Sequence, residues 1–206
     1  MSNTGAKAKK RGYHHGDLER ALVETAVQVI QDEGIEALTL RDVGARLGVS
    51  RTALYRHFDG KEALLARVAS EGFKRFHAAL AKAAEGAEAR GIDPLPAMAL
   101  AYLRFARAHP SHYQTMFSGV VTDMTRDPEL ARHGEAAFTV LLEAIRTGQR
   151  QGRIRAGDPV QLAEITWAMS HGIATLGMAN QIGHAPKGLE ELARLGCAIL
   201  ERGLEK

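Results

Sequence analysis

A single cysteine, Cys197, stands among 206 residues. One thiol closes no internal disulfide, and such sparing use suits a reducing compartment. No apolar run approaches the roughly 18 residues that a membrane-spanning helix needs. The basic start, Met1 to Arg11, is not followed by the apolar stretch of a secretory signal. The expectation is a soluble, cytoplasmic protein. Period-two alternation is never sustained, and no hairpin dipeptide separates apolar runs, which argues against a sheet. There is no internal repeat and no low-complexity tract. Excess charge is small too: 27 Lys and Arg against 24 Asp and Glu give +3. A balance this even does not demand nucleic acid, so the placement of the charge matters more than its sum.

What is present is helical periodicity. Residues 1–15 are polar and carry Lys7, Lys9, Lys10 and Arg11 without an acid; they read as a flexible basic arm. From Asp17, a candidate cap, Leu18, Leu22, Thr25, Ala26, Val29 and Ile30 recur at three- and four-residue steps until Gly34, placed as a C′ glycine. Thr39 offers an N-cap with Asp42 in the following turn. Val43 and Leu47 give a short apolar face up to Gly48. Ser50 offers a second cap for a helix through Phe58, and Asp59 a third for a long helix bearing Ala63, Leu64, Val68, Phe73 and Phe76. After Gly91 longer, Ala-rich helices are expected near 94–108, 111–117, 128–150, 159–182 and 187–203. Pro94, Pro110, Pro128, Pro159 and Pro186 fall at or near their starts, where a missing N–H costs least. The fold class is all-α.

The most informative stretch runs from Leu38 to Leu65. Two short helices are joined by Leu47-Gly48-Val49-Ser50, where the glycine allows the positive φ of a tight turn. Val49 is placed to plug the space between the helices. Gly44 permits a close crossing, and Val43, Leu47 and Leu54 face inward. This is the plan of a helix-turn-helix, whose second helix enters a major groove. Its outward residues suit such a role. Arg51, Thr52 and Tyr55 reach outward, with Arg56, His57 and Lys61 nearby. Between Thr39 and Phe58 four arginines (Arg41, Arg46, Arg51, Arg56) face one acid, Asp42. Phosphate contacts supply affinity and base contacts supply choice.

Ala53-Leu54-Tyr55-Arg56-His57-Phe58, followed by Asp59-Gly60-Lys61-Glu62-Ala63-Leu64, resembles the helix-turn-helix signature of the TetR family of transcriptional regulators. The likeness covers about 17–65, and Tyr13-His14-His15-Gly16-Asp17-Leu18 resembles the start of many members. It implies a helix-turn-helix domain over 16–62 and a ligand-binding and dimerisation domain over 63–206. It further implies that Thr39 and Arg41 touch phosphate or a groove edge, that Ser50, Arg51, Thr52 and Tyr55 form the reading surface, and that His57 and Lys61 clamp phosphates. Gly44 stands where many relatives carry alanine.

In the second half, Trp167-Ala168-Met169-Ser170-His171-Gly172 matches the Trp-x-x-x-His-Gly pattern of one TetR C-terminal subgroup, the WHG type. Pro110 to Phe117 resembles that subgroup as well. Trp167 and His171, four apart, share a helical face, and Gly172 would let a neighbouring helix come close. The candidate pocket wall is Met98, Tyr102, Phe105, Tyr113, Met116, Phe117, Phe138, Trp167 and His171, apolar groups with a few polar tips. The same residues at helical spacing also read as plain core. The last two helices should supply the dimer interface through Ile165, Met169, Ile173, Leu176, Leu192, Leu195, Ile199 and Leu200. A two-fold dimer implies a near-palindromic operator.

The function expected is a ligand-responsive DNA-binding regulator, most simply a repressor released from its operator by a small molecule, with no cofactor and no metal. The alternative is a nonspecific or architectural DNA-binding protein; the modest charge and a C-terminal half poor in basic clusters weigh against it. An enzyme finds little support. His14 and His15, His109 and His112, or His171 and His184 form no ligand set of known spacing, and nucleophile elbow, phosphate loop and His-Glu-x-x-His are all missing. Cys197 sits in an amphipathic segment and reads as packing. A metal- or redox-sensing regulator would want more than one cysteine and scattered histidines.

Overall fold

The computed structural model describes residues 15–121, 128–184 and 188–204, and among them nine helices and no strand. The chain divides into two compact units, Met1–Leu64 and Leu65–Lys206. The basic arm expected over 1–15 lies outside the described residues except for His15, which opens the first helix.

The first unit holds α1 (His15–Glu33), α2 (Leu40–Leu47), α3 (Arg51–Tyr55) and the first turn of α4 (Lys61–Glu88). α1 begins two residues before Asp17, so that residue lies in the first turn rather than at the cap. Its negative charge there still favours the helix dipole. The apolar stripe is the buried one: Leu22, Ala26, Val29 and Ile30. Gly34 leaves the helix with φ +87°, a conformation that carries no steric penalty only without a β-carbon. Asp59 does not cap α4 either. The helix starts at Lys61 and the Gly60 carbonyl accepts from Leu64 N–H at 3.3 Å, which puts Gly60 at the capping position.

The second unit contains the rest of α4, α5 (Pro94–Ala108), α6 (Pro110–Phe117), α7 (Pro128–Arg150), α8 (Pro159–Met178) and α9 (Gly188–Leu204). Two Asp-Pro pairs start helices with more than a missing donor. Asp93 accepts from Leu95 N–H at 3.0 Å and Asp158 from Val160 N–H at 2.9 Å, so each carboxylate satisfies an otherwise unpaired amide while proline occupies N1. Pro186 lies outside the described residues. α8 stops at Met178, four residues short of expectation. Asn180 takes φ +55°, and Gln181 N–H donates back to Leu176 C=O at 2.9 Å. Asparagine is one of the few residues that tolerates this left-handed cap. α5 packs on α8 and α9, and α7 packs on α8, around a core that includes Phe76, Leu80, Met98, Tyr102, Leu130, Ile145 and Cys197. Each fully buried Leu, Ile or Phe there contributes about 1.5–3 kcal/mol. Cys197 is thus a packing residue, as its segment suggested.

Candidate functional sites

The first site is built on the short helix α3. Thr39 caps α2: Asp42 N–H donates to Thr39 Oγ1 at 3.1 Å, and that hydroxyl donates to Asp42 Oδ2 at 2.6 Å. Gly48 turns the chain with φ +66°, and Val49 N–H donates to Gly44 C=O at 3.0 Å. Ser50 then caps α3 by accepting from Ala53 N–H at 3.3 Å. The helix is only five residues long, shorter than the run to Phe58 expected. Past Tyr55 the chain tightens into a turn, with His57 N–H donating to Leu54 C=O at 2.9 Å. On its inner side Leu54 is buried against Gly44, where a β-carbon would overlap Leu54 Cδ1. This is the close crossing the glycine allows.

With one face pinned, the other is fully presented. Arg51, Thr52, Tyr55 and Arg56 are exposed, Tyr55 to 48%. An aromatic ring so open needs a reason, and the Arg51 guanidinium 5.3 Å from its centroid supplies part of one. Arg41, Ala45 and Val49 join Arg51, Leu54 and Tyr55 around an open hollow of about 390 Å³. Guanidinium groups and a phenol on one exposed surface match the donor requirements of base edges and phosphates.

Other sequence-predicted residues have structural duties. The hydroxyls of Thr39 and Ser50 hold the caps. Lys61 is half-buried and donates from Nζ to the Glu36 carbonyl at 3.0 Å, tying the start of α4 to the α1–α2 connection. His57 is half-buried as well. Arg46 pairs with Glu33 at the end of α1, so the cationic surface rests on Arg41, Arg51 and Arg56 rather than on four arginines.

The second site is an apolar cavity in the second unit. Met98, Tyr102, Phe138 and Trp167, four of the candidate wall residues, line it. Phe76, Leu80, Leu95, Ala99, Ala137, Leu141, Thr166 and Ser170 complete the wall. The sequence held a signal for some of these, since Phe76 and Leu80 are four apart on α4, and Thr166 and Ser170 flank Trp167 on α8. The cavity measures about 30 Å³, room for about two waters. Phe105, Tyr113, Met116, Phe117 and His171 stand outside the wall. Phe105 packs on Phe76 and His109, and Met116 fills the space beside Gly72.

Tyr113, Phe117 and His171 instead form a cluster adjoining the cavity. The hydroxyls of Tyr102 and Tyr113 both lie 2.9 Å from Nδ1 of His171. A single nitrogen lone pair accepts one of them well, and Tyr113 has an alternative in Thr175 Oγ1 at 3.2 Å. Trp167 Nε1 donates to Tyr102 Oη at a long 3.4 Å. Burial pushes both phenols above their ordinary pKa and pushes His171 below its own, so at neutral pH the cluster is uncharged and Nδ1 is free to accept. Nearby on α6, His112 is buried, its Nε2 has no hydrogen-bond partner, and its pKa is pushed down to about 4 by burial, with Arg75 adding to the effect.

The third feature is an apolar face on α8 and α9. Ile165, Leu176, Leu195 and Ile199 are exposed, three of them by half or more: 54%, 51% and 57% for Ile165, Leu195 and Ile199. Leu192 is half-buried, and Leu200 lies beyond what is described of side chains. Met169 and Ile173 turn partly inward, against Gly196. Gly172 does not bring a helix of this chain close: nothing lies within 4 Å of where its β-carbon would be. Its open side joins the exposed face. No helix among the described residues is long and apolar enough to cross a membrane, and no group of three metal-ligating side chains occurs among them.

Residues 22–68 match the family described as bacterial regulatory proteins, tetR family, and residues 95–200 match the tetracyclin repressor-like C-terminal domain. Among solved structures, a protein of unknown function from Rhodococcus sp. RHA1 is 33% identical, with TM-score 0.82, covering 96% of this chain and 100% of that one. The TetR family transcriptional regulator PfmR from Thermus thermophilus is 25% identical, with TM-score 0.68, covering 90% and 99%. An uncharacterized HTH-type transcriptional regulator, YobS, of Bacillus subtilis (strain 168) is 25% identical over 99 residues, 48% of this chain. That match spans about half, 51%, of the relative's own length. The tetracycline repressor protein class C of Escherichia coli is 49% identical over 45 residues, 22% of this chain and 20% of that protein.

Proposed function

The chain belongs to the TetR family of bacterial transcriptional regulators, and from that premise we propose that it is a repressor that binds a palindromic operator as a homodimer and is released by a small-molecule effector. DNA reading falls to the first unit, and effector binding and dimerisation to the second. The observation that carries this reading is α3, a capped and pinned helix whose outer face presents Arg51, Thr52, Tyr55 and Arg56 to solvent. Arg51 and Tyr55 read base edges. Arg41 and Arg56 engage phosphate. Thr39, Ser50 and Lys61 act chiefly by fixing the backbone, and their own polar contacts to DNA are secondary.

The apolar face of α8 and α9 supports dimerisation. Solvent-exposed Ile165, Leu176, Leu195 and Ile199 lose contact with water when a second copy covers them. Gly172, with open space on its side, lets the two copies of α8 approach closely. The cavity supports effector control. It is too small to admit a ligand unless its walls part, so binding favours a conformation different from the empty one. A ligand shifts the equilibrium only by its differential affinity for the two states, and α4, whose Phe76 and Leu80 line the cavity and whose first turn lies in the DNA-reading unit, is the element that carries the shift. Operator DNA then weakens effector binding by the same factor.

Footprinting on a DNA fragment pool bound by the full chain tests this reading. Two protected half-sites about one helical turn apart, roughly 34–36 Å, are the expected pattern. Protection without fixed boundaries would favour a nonspecific or architectural role.

A further inference from the structure

We propose that the cavity in the second unit takes an uncharged, largely apolar ligand bearing one hydrogen-bond acceptor, such as a ketone or ester carbonyl, and rejects carboxylates and amines of the same length. This inference rests on the reading of the cavity as the effector site, and it names the class of effector.

The first observation is what the wall lacks. None of its twelve residues is Asp, Glu, Lys, Arg or His. An ionised ligand enclosed there would lose its hydration and find no countercharge, and such a loss outweighs the gain from burying several methylenes.

The second is the inventory of polar atoms that remain. Thr166 Oγ1 donates to the Leu162 carbonyl at 2.8 Å and Ser170 Oγ to the Thr166 carbonyl at 3.0 Å. Both hydroxyl protons are therefore committed to their own helix. The Tyr102 hydroxyl lies 2.9 Å from Nδ1 of His171 and is engaged in that cluster. The indole N–H of Trp167 is the loosely held donor, with only its 3.4 Å bond to Tyr102 Oη. An incoming carbonyl oxygen takes that N–H with little loss elsewhere. The Thr166 and Ser170 oxygens, their protons committed, still accept, so a hydroxyl group on the ligand is tolerated as well, and the Trp167 N–H is what selects an acceptor.

The third is the make-up of the wall. Four of its residues are aromatic, Phe138 against Trp167 at 5.3 Å and Phe76 edge-on to Tyr102 at 4.8 Å, and such faces favour an apolar body whose acceptor meets Trp167.

Trp167 is the only tryptophan, so its emission reports on the site directly. The probes are 2-octanone, octanoate and octylammonium, titrated into the full chain at pH 7, with calorimetry in parallel. A saturable emission shift with 2-octanone is expected, with a Kd at least about tenfold below that of either ion. Replacing the donor by Trp167→Phe, followed by calorimetry, should weaken 2-octanone by about three- to tenfold, as loss of one hydrogen bond implies, and leave the ions unchanged. Filling the cavity by Ala99→Phe should remove all binding, and a folded Ala99→Phe variant that still binds would place the ligand elsewhere and overturn the proposal. Octanoate or octylammonium binding as tightly as the ketone overturns the neutral-ligand inference while leaving an effector cavity in place. Binding of the ketone without any change in DNA affinity leaves the ligand class standing and overturns the effector role. Failure of all three probes overturns the cavity as a binding site, and the inference with it.

Discussion

The two units put their functional groups in opposite settings. In the first, the side chains proposed to read DNA are outside: Arg51, Thr52 and Tyr55 stand in solvent, and the backbone beneath them is fixed by two caps, a left-handed glycine and one leucine against one glycine. In the second, the side chains proposed to meet a ligand are inside: Trp167, Tyr102 and Phe138 line a cavity of about 30 Å³, and a neutral hydrogen-bonded cluster leads away from it. A surface that reads DNA must be rigid before contact and tolerant of salt and water. On the proposed reading the cavity must be deformable, because a ligand shifts the equilibrium only by its differential affinity for two states.

This contrast is open to experiment, starting with the largest effect. Removing both reading side chains, Arg51→Ala with Tyr55→Ala, should weaken selected-site binding by about a hundredfold or more, since each base contact is worth about 1–3 kcal/mol. Fluorescence anisotropy on the selected duplex measures it, and melting should change little because both residues are exposed. Leu54→Ala tests the pin under the same surface. The side chain is buried, and its truncation should cost about 2–5 kcal/mol of stability. Chemical denaturation of that variant should show an earlier transition, with DNA binding lost alongside.

The second unit should respond to acid. His112 has its folded-state pKa depressed to about 4, from 6.5. The unfolded chain therefore takes up the proton first, and the stability present above pH 6.5 is lost progressively as pH falls from 6.5 towards 4. Thermal melting across that range should flatten in His112→Leu relative to the parent. An unchanged acid limb would assign the loss to other groups. The smallest effect is at the cap: Ser50→Ala should cost about 1 kcal/mol, read as a slightly lower melting temperature and a modest loss of operator affinity.

The same contrast explains what could be read from the sequence. The exposed surface of α3 was legible because everything that places it is local. Thr39 and Asp42, Gly48 and Ser50, Gly44 and Leu54 act across ten residues or fewer, and the turn chemistry is visible in the letters. Lys61 and Arg46 were harder, because their partners, Glu36 and Glu33, lie 25 and 13 residues away. The cavity was only partly legible. Its wall is drawn from α4, α5, α7 and α8, and helical periodicity shows that a residue faces inward without showing which inward space it meets. Tyr113 and Met116 face the interior as expected but fill other space. The end of α8 turned on one asparagine in a left-handed conformation, a choice that periodicity through residue 182 does not reveal.

The central claim is sequence-specific reading of DNA by a two-fold dimer. Selection of bound duplexes from a random library by the full chain, repeated at two salt concentrations, tests it most directly. The account predicts recovery of a near-palindrome at both, with half-sites about one turn apart and weaker overall retention at the higher salt. Recovery of no motif, with binding that vanishes at moderate salt, would contradict it.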